Sequence, residues 1–219
     1  MSDSTTGTTT LPTPAEVWAE MQRGNERFVS GAPRHPRQDV ELRAELGRGQ
    51  APHAVLLGCS DSRLAAEIIF DEGLGDLFVI RNAGQVASES ALGSIEYAVG
   101  VLHVPLVIVL GHDSCGAVRA AIDSQADDAA PLPPHIDGLI QRIVPAVHEV
   151  TRADAAPVDP VSVDASAVGR THVRNTISEM LEASEMISAA VADGTLAIVG
   201  ANYRLVEGRV DPHVIVGMA

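Results

Sequence analysis

The sequence predicts an α/β fold: a mainly parallel, four-stranded central sheet flanked by helices, joined to an N-terminal helical arm. Four short apolar runs rich in β-branched residues, at 54–57, 77–80, 106–110 and 196–201, have the length and continuity of strands buried on both faces. Longer segments with apolar residues at helical spacing separate them, and that alternation favours parallel strands joined by helical crossovers. The composition agrees. Of the 219 residues 46% are hydrophobic, yet only one is Trp, two are Tyr and three are Phe, so the core must be built from Ala, Val, Leu and Ile. We expect one domain over residues 13–219, with its helical arm at 13–49, behind a disordered tail at 1–12.

The tail is Ser/Thr-rich and lacks the charged and apolar regions of a secretory signal. Thr13, Pro14 and Glu16 then supply an N-cap, a proline in the first turn and the glutamate of a capping box, so a helix opens here. Val17, Met21 and Phe28 share one face of it, and Gly31 ends it. A proline-bearing linker at 32–37 leads to a short helix at 40–46, and Gln50 precedes the first strand. After that strand come a helix at 65–70 and a turn at 71–76. Its Gly73-Leu74-Gly75 is not a dinucleotide fingerprint, because it precedes a strand and lacks the third glycine.

The second strand, at 77–80, runs into Arg81 and Asn82. Leu92, Ile95, Val99 and Leu102 then mark a core-facing helix at about 88–102. The third strand, at 106–110, is followed by a helix opening at Cys115 and continuing to Ile122. A proline-bearing loop at 125–134 precedes an amphipathic helix carrying Ile136, Ile140, Ile143 and Val147. A linker at 154–159 separates it from one long helix at about 164–192, whose stripe includes Val168, Val173, Ile177, Leu181, Ser184 and Val191. The fourth strand, at 196–201, is central in character, and a final extended piece ending at Val216 is a candidate edge strand.

The charge and residue usage exclude several functions. A net charge of −14 repels phosphate backbones, which argues against nucleic acid and anionic membranes as partners. All 15 basic residues are Arg, so Walker-type phosphate binding and Schiff-base chemistry through a lysine are ruled out. No stretch reaches the roughly 18 consecutive apolar residues of a membrane span. Two cysteines without an apolar signal segment point to a reducing compartment, and we expect a cytoplasmic protein.

Both cysteines fall in short polar clusters just past strands. Cys59-Ser60-Asp61-Ser62-Arg63 follows the first strand, and Gly111-His112-Asp113-Ser114-Cys115-Gly116 follows the third. Carboxyl ends of strands are where open α/β sheets place their ligand sites. Two thiolates and an imidazole suit Zn²⁺, and three protein ligands leave the fourth position open, which is the catalytic pattern. Cys59, His112 and Cys115 supply that set. Asp61 and Arg63, alternate residues beside Cys59, can pair with each other and hold a carboxylate next to the metal. The other seven histidines lie in linkers, on mixed helical faces or beside apolar runs, and are assigned no role.

The two clusters together resemble the metal and catalytic signature of the β-class carbonic anhydrases, C-x-D-x-R followed by G-H-x-x-C-G. Gln50, the run from Phe78 through Arg81 to Asn82, and the segment Ser94-Ile95-Glu96-Tyr97-Ala98-Val99 resemble the family as well, so the likeness covers roughly residues 15–208. It implies reversible hydration of CO₂ to bicarbonate and a proton by hydroxide made at one zinc per chain, assisted by the Asp61 and Arg63 dyad. In some members of the family the same carboxylate takes the fourth position in a closed form, so Asp61 is a metal ligand only in such a form, and the resemblance leaves open which state this chain rests in. The Gln50 amide would point into an active site, its own or the neighbouring subunit's, and Phe78, Ala83 and Tyr97 would form the apolar pocket for the neutral substrate. The assembly implied is a homodimer, with a tetramer of two dimers left open, and the N-terminal helix would pack either on its partner or on its own domain. Some members carry a tryptophan three residues before the first metal cysteine as part of a bicarbonate regulatory site; here that residue is Leu56. Rival readings are a hydrolase of CS₂ or COS and a non-catalytic zinc-stabilised module. A zinc deaminase is disfavoured, because its H-x-E and P-C-x-x-C elements are missing.

Overall fold

The computed structural model describes residues 12–152 and 157–218. Most of the expected tail, and part of the linker at 154–159, lie outside the described residues. The elements run α1 (Pro14–Val29), α2 (Val40–Leu46), β1 (Ala54–Cys59), α3 (Ala66–Ile69), β2 (Leu77–Asn82), α4 (Glu89–Gly100), β3 (Leu106–His112) and α5 (Gly116–Asp123). They continue with α6 (Pro134–Ile140), α7 (Val144–Thr151), α8 (Ala165–Ala183), α9 (Glu185–Ala192), β4 (Ala197–Tyr203) and β5 (Val210–Val216).

The sheet order is β2-β1-β3-β4-β5, with the first four strands parallel and β5 antiparallel on β4. Every residue of β1 and β3 is buried, as their continuous apolar sequences require of strands covered on both faces. Alternate residues serve two cores. Leu56, Leu106, Ile108, Leu110 and Val199 face α1 and the α5–α7 group, whereas Val55, Leu57, Val107, Val109 and Ile198 face α4, α8 and α9. β5 is the expected edge strand. It tolerates Pro212, which has no N–H to donate, because it sits at the sheet margin where the ladder shifts register beside Gly200 and Ala201.

The capping box forms as the sequence predicts: the Thr13 hydroxyl accepts from the Glu16 N–H, and the Glu16 carboxylate accepts from the Thr13 N–H at 2.8 Å. At the other end Gly31 takes a φ of 70°. Its N–H donates to Phe28 and that of Ala32 to Arg27, which closes the helix. The helix packs on its own chain. Val17, Trp18 and Met21 are buried in the core, and the buried Asn25 amide donates to the carbonyls of Ile69 and Gly208. Among the described residues no helix is long and apolar enough to cross a membrane.

Two expected helices are each divided. The one through Ile136 and Val147 becomes α6 and α7, separated at 141–143. Pro145 accounts for the break, because it lacks the N–H of a continuing helix and fits only the first turn of a new one. The long helix at 164–192 breaks at Ser184, which has φ −127° and ψ 107°. This buried serine ends α8 and caps α9, with its hydroxyl donating to Glu96 at 2.7 Å and accepting from the Ile187 N–H.

Candidate metal centre

β1 and β3 lie side by side, with Gly58 opposite Leu110, and each delivers one half of the cluster from its carboxyl end. Cys59 is the last residue of β1 and His112 the last of β3. Ser114, at φ 52°, then turns the chain so that Cys115 occupies the N-cap of α5. The Cys59 and Cys115 sulfurs and a ring nitrogen of His112 lie within 4.8 Å of one another, and all three residues are buried. The cysteines are free thiols.

The donor set fits a zinc ion. His112 Nδ1 donates to the Asp113 carbonyl at 2.8 Å, which leaves the lone pair on Nε2. That nitrogen is buried and has no hydrogen-bond partner among the described residues, a costly state for a polar atom and the one expected of a metal ligand. Contact with Cys115 pulls the Cys59 thiol down to about 4, with His112 and the Gly84 N–H adding to the effect, and the same contact pushes Cys115 up. The pair therefore carries a single negative charge until a cation balances a second. Burial lowers the His112 pKa, but the adjacent Cys59 sulfur outweighs it and the net direction is upward.

Asp61 is gripped by Arg63 through both oxygens. Arg63 Nε donates to Oδ1 at 2.9 Å and Nη2 to Oδ2 at 2.7 Å, while the Arg63 backbone N–H also reaches Oδ1 at 2.9 Å. This clamp holds the carboxyl well below the usual carboxylate range. Asp61 Oδ2 stands 3.9 Å from His112 Nε2. The carboxylate is thus beside the metal ligands but occupied by the guanidinium.

A supporting layer surrounds these groups. Arg81 donates from Nε to the Cys59 carbonyl at 3.0 Å and from Nη2 to the Asp61 carbonyl at 2.7 Å, so it fixes the backbone that carries both. Asn82 closes the next loop by bonding both the N–H and the carbonyl of Val86. The Gly84 N–H donates to Cys59 Sγ at 3.5 Å, and buried His172 on α8 donates to the Gly84 carbonyl at 2.7 Å. The sequence alone assigns His172 and Gly84 no role. A histidine inside an otherwise apolar helical stripe was the available signal.

Ala83 adjoins Gly84 at this end of the sheet. Gln50, Phe78 and Tyr97 do not. Phe78 pairs with Val55, four residues before Cys59 and therefore about 13 Å away along the strand. Tyr97 lies against Phe78 with ring centroids 6.1 Å apart, and Gln50 precedes the amino end of β1. Leu56, in place of the regulatory tryptophan, is buried in the core.

A sequence model of the carbonic anhydrase family matches residues 54–210. The chain belongs to the β-class carbonic anhydrase family. It is 48% identical over 196 residues to carbonic anhydrase 2 of Mycobacterium tuberculosis, covering 90% of this chain and 91% of that one. Identity to a carbonic anhydrase of Mycolicibacterium smegmatis is 44% over 198 residues, covering 90% and 92%. Among solved structures, a tetrameric β-carbonic anhydrase of the ascomycete Sordaria macrospora superposes with a TM-score of 0.68 at 24% identity, over 80% of this chain and 87% of the other. Membership makes this chain a carbonic anhydrase by family, and its Cys59, His112 and Cys115 cluster suits the zinc on which β-carbonic anhydrases depend.

Proposed function

We propose that this chain catalyses the reversible hydration of CO₂ to bicarbonate and a proton at one zinc held by Cys59, His112 and Cys115, with Asp61 and Arg63 as the working pair. Bound zinc would supply a nucleophile at neutral pH, because it lowers the pKa of water from about 15.7 to about 7. Asp61 accepts a hydrogen bond from the incoming oxygen and turns a lone pair of that oxygen toward the carbon of CO₂. To do so it must be ionised and kept off the metal, and the Arg63 clamp serves both needs. With the clamp released, Asp61 would be free to bind the metal as well, which would close the site. The observation that carries this reading is the clamped carboxylate standing 3.9 Å from the unpartnered His112 nitrogen.

The substrate pocket combines Ala83 of one subunit with Gln50, Phe78 and Tyr97 of a second copy. Support comes from the separation of those three residues from their own Cys59, and from the half-buried apolar edge strand β2 beside the exposed ring of Tyr97. This makes the working unit a homodimer, and the tetrameric Sordaria relative supports pairing of two dimers. Free thiols as metal ligands suit the cytoplasm.

Stopped-flow CO₂ hydration by zinc-quantified protein tests the reading. Activity should follow zinc content and vanish with the metal in Cys115→Ser. Undiminished hydration by zinc-free protein would overturn it, and a fully active monomer at low concentration would remove the shared pocket.

A further inference from the structure

At the opposite end of the sheet from the cysteines, His53 and Asp76 stand side by side immediately before β1 and β2, whose first residues Ala54 and Leu77 are paired. The His53 N–H donates to the Asp76 carbonyl at 2.9 Å. Glu72 reaches the same spot from the turn after α3, where its own N–H is tied to the Glu67 carbonyl at 2.8 Å. A ring nitrogen of His53 and a carboxylate oxygen from each of Glu72 and Asp76 lie within 4.8 Å of one another. β1 is six residues long, so about 20 Å separates this cluster from Cys59, and the two cannot share an ion.

Its polar atoms are incompletely satisfied. The Glu72 side chain is only 8% exposed, yet its Oε1 has no hydrogen-bond partner among the described residues. His53 Nε2 is 3.5 Å away and equally unpartnered. At that distance the two pair only while the His53 ring is protonated; a neutral ring leaves the buried Glu72 carboxylate oxygen without a donor, which is costly, and a shared cation would satisfy both. The 3.5 Å between His53 Nε2 and Glu72 Oε1 suits one. Ligand bonds of about 2.1 Å to a tetrahedral ion put neighbouring donor atoms about 3.4 Å apart. Asp76 is oriented by the Gly73 N–H, which donates to Oδ2 at 2.8 Å, while its other oxygen is held by Arg37. Arg37 is 57% exposed and can move into water; the buried Glu72 cannot.

We propose that His53, Glu72 and Asp76 form a second divalent-cation site, suited to zinc or cobalt, in which the cation displaces Arg37 from Asp76. A neutral imidazole and two carboxylates balance the charge of a divalent ion, and the partly exposed His53 side leaves room for water as a further ligand. Thiolates are softer than this nitrogen and oxygen set, so the cysteine centre fills first and this site takes the second equivalent.

The test is calorimetric titration of zinc, and of cobalt followed by visible absorption, into protein already carrying one zinc per chain. A second equivalent should bind. It should weaken at least roughly tenfold in Glu72→Gln and His53→Ala while the first zinc is retained. Arg37→Gln keeps every proposed ligand and removes the competitor for Asp76, so it should bind the second ion more tightly. Absence of a second equivalent, or uptake unchanged in Glu72→Gln and His53→Ala, overturns the site and leaves a simple His53 and Glu72 ion pair. If those two variants fail to fold, Arg37→Gln decides alone: tighter binding upholds the site, and unchanged or weaker binding overturns it.

Discussion

His172 Nε2 donates to the Gly84 carbonyl at 2.7 Å, and Gly84 in turn donates its N–H to the Cys59 sulfur. Burial pushes the His172 pKa down, so the ring is neutral and offers one N–H, which is directed at this loop. Groups one step removed from a metal ligand commonly change metal affinity by about 10- to 100-fold. We expect His172→Ala to weaken zinc binding within that range and His172→Gln, which keeps an N–H donor, to recover part of the loss. Competition with a chromophoric chelator measures both, and unchanged affinity in His172→Ala would show that other contacts hold the loop.

Gly84 itself has little freedom to change. Its φ is 77°, and a Cβ built there would stand 2.8 Å from Ile143 Cδ1 and 3.0 Å from the Ala117 Cβ. Gly84→Ala should therefore cost about 1–3 kcal/mol of stability through strain and crowding. Denaturant unfolding of the zinc-loaded protein checks this; a loss within error of zero would mean that the loop and α5 adjust freely.

Asp71 ties α1 and the linker behind it to the body of the protein. Its carboxylate accepts from Arg27 Nε at 2.6 Å and from the N–H groups of Arg34 and His35, each at 2.9 Å. Burial alone would raise its pKa, but the Arg27 and backbone bonds outweigh that and hold it below the carboxylate norm. A depressed folded-state pKa contributes stability that is complete above the unfolded value, near 3.9, and is lost as pH falls through the folded one. Asp71→Asn should cost about 3–5 kcal/mol at neutral pH. The deficit should stay constant from about pH 8 to 5 and shrink below about pH 4, as the wild type loses the same charge. Urea unfolding across pH tests this, and equal deficits at both ends of the range would contradict it.

What sequence could reveal here depended on how locally each feature is encoded. The capping box at Thr13 to Glu16 and the apolar runs of β1 and β3 follow from neighbouring residues and form where expected, and the strand ends bring the Cys59, His112 and Cys115 side chains together. Ser184 is not legible as a break because it lies on the apolar stripe of a helix that otherwise reads as continuous, and its bond to Glu96 spans 88 residues. The same holds for His172, whose partner Gly84 is also 88 residues distant, and for His53, which meets Glu72 and Asp76 only when β1 and β2 pair. Pro145 is a local signal of the other break: a proline within the expected helix favours a boundary over a continuous stripe.

The most direct test of the central claim is CO₂ hydration by Arg63→Ala, measured by stopped flow on protein whose zinc content has been determined. Arg63 grips both carboxylate oxygens of Asp61 and supplies no donor to the Cys59, His112 and Cys115 cluster. Because its carboxyl lies below the usual range, Asp61 is charged across the working pH, so a rate increase from about pH 6 to 9 belongs to another group. Arg63→Ala should keep one zinc per chain while its rate falls by about 10²- to 10³-fold. Near-wild-type rates at neutral pH with zinc fully retained would contradict it.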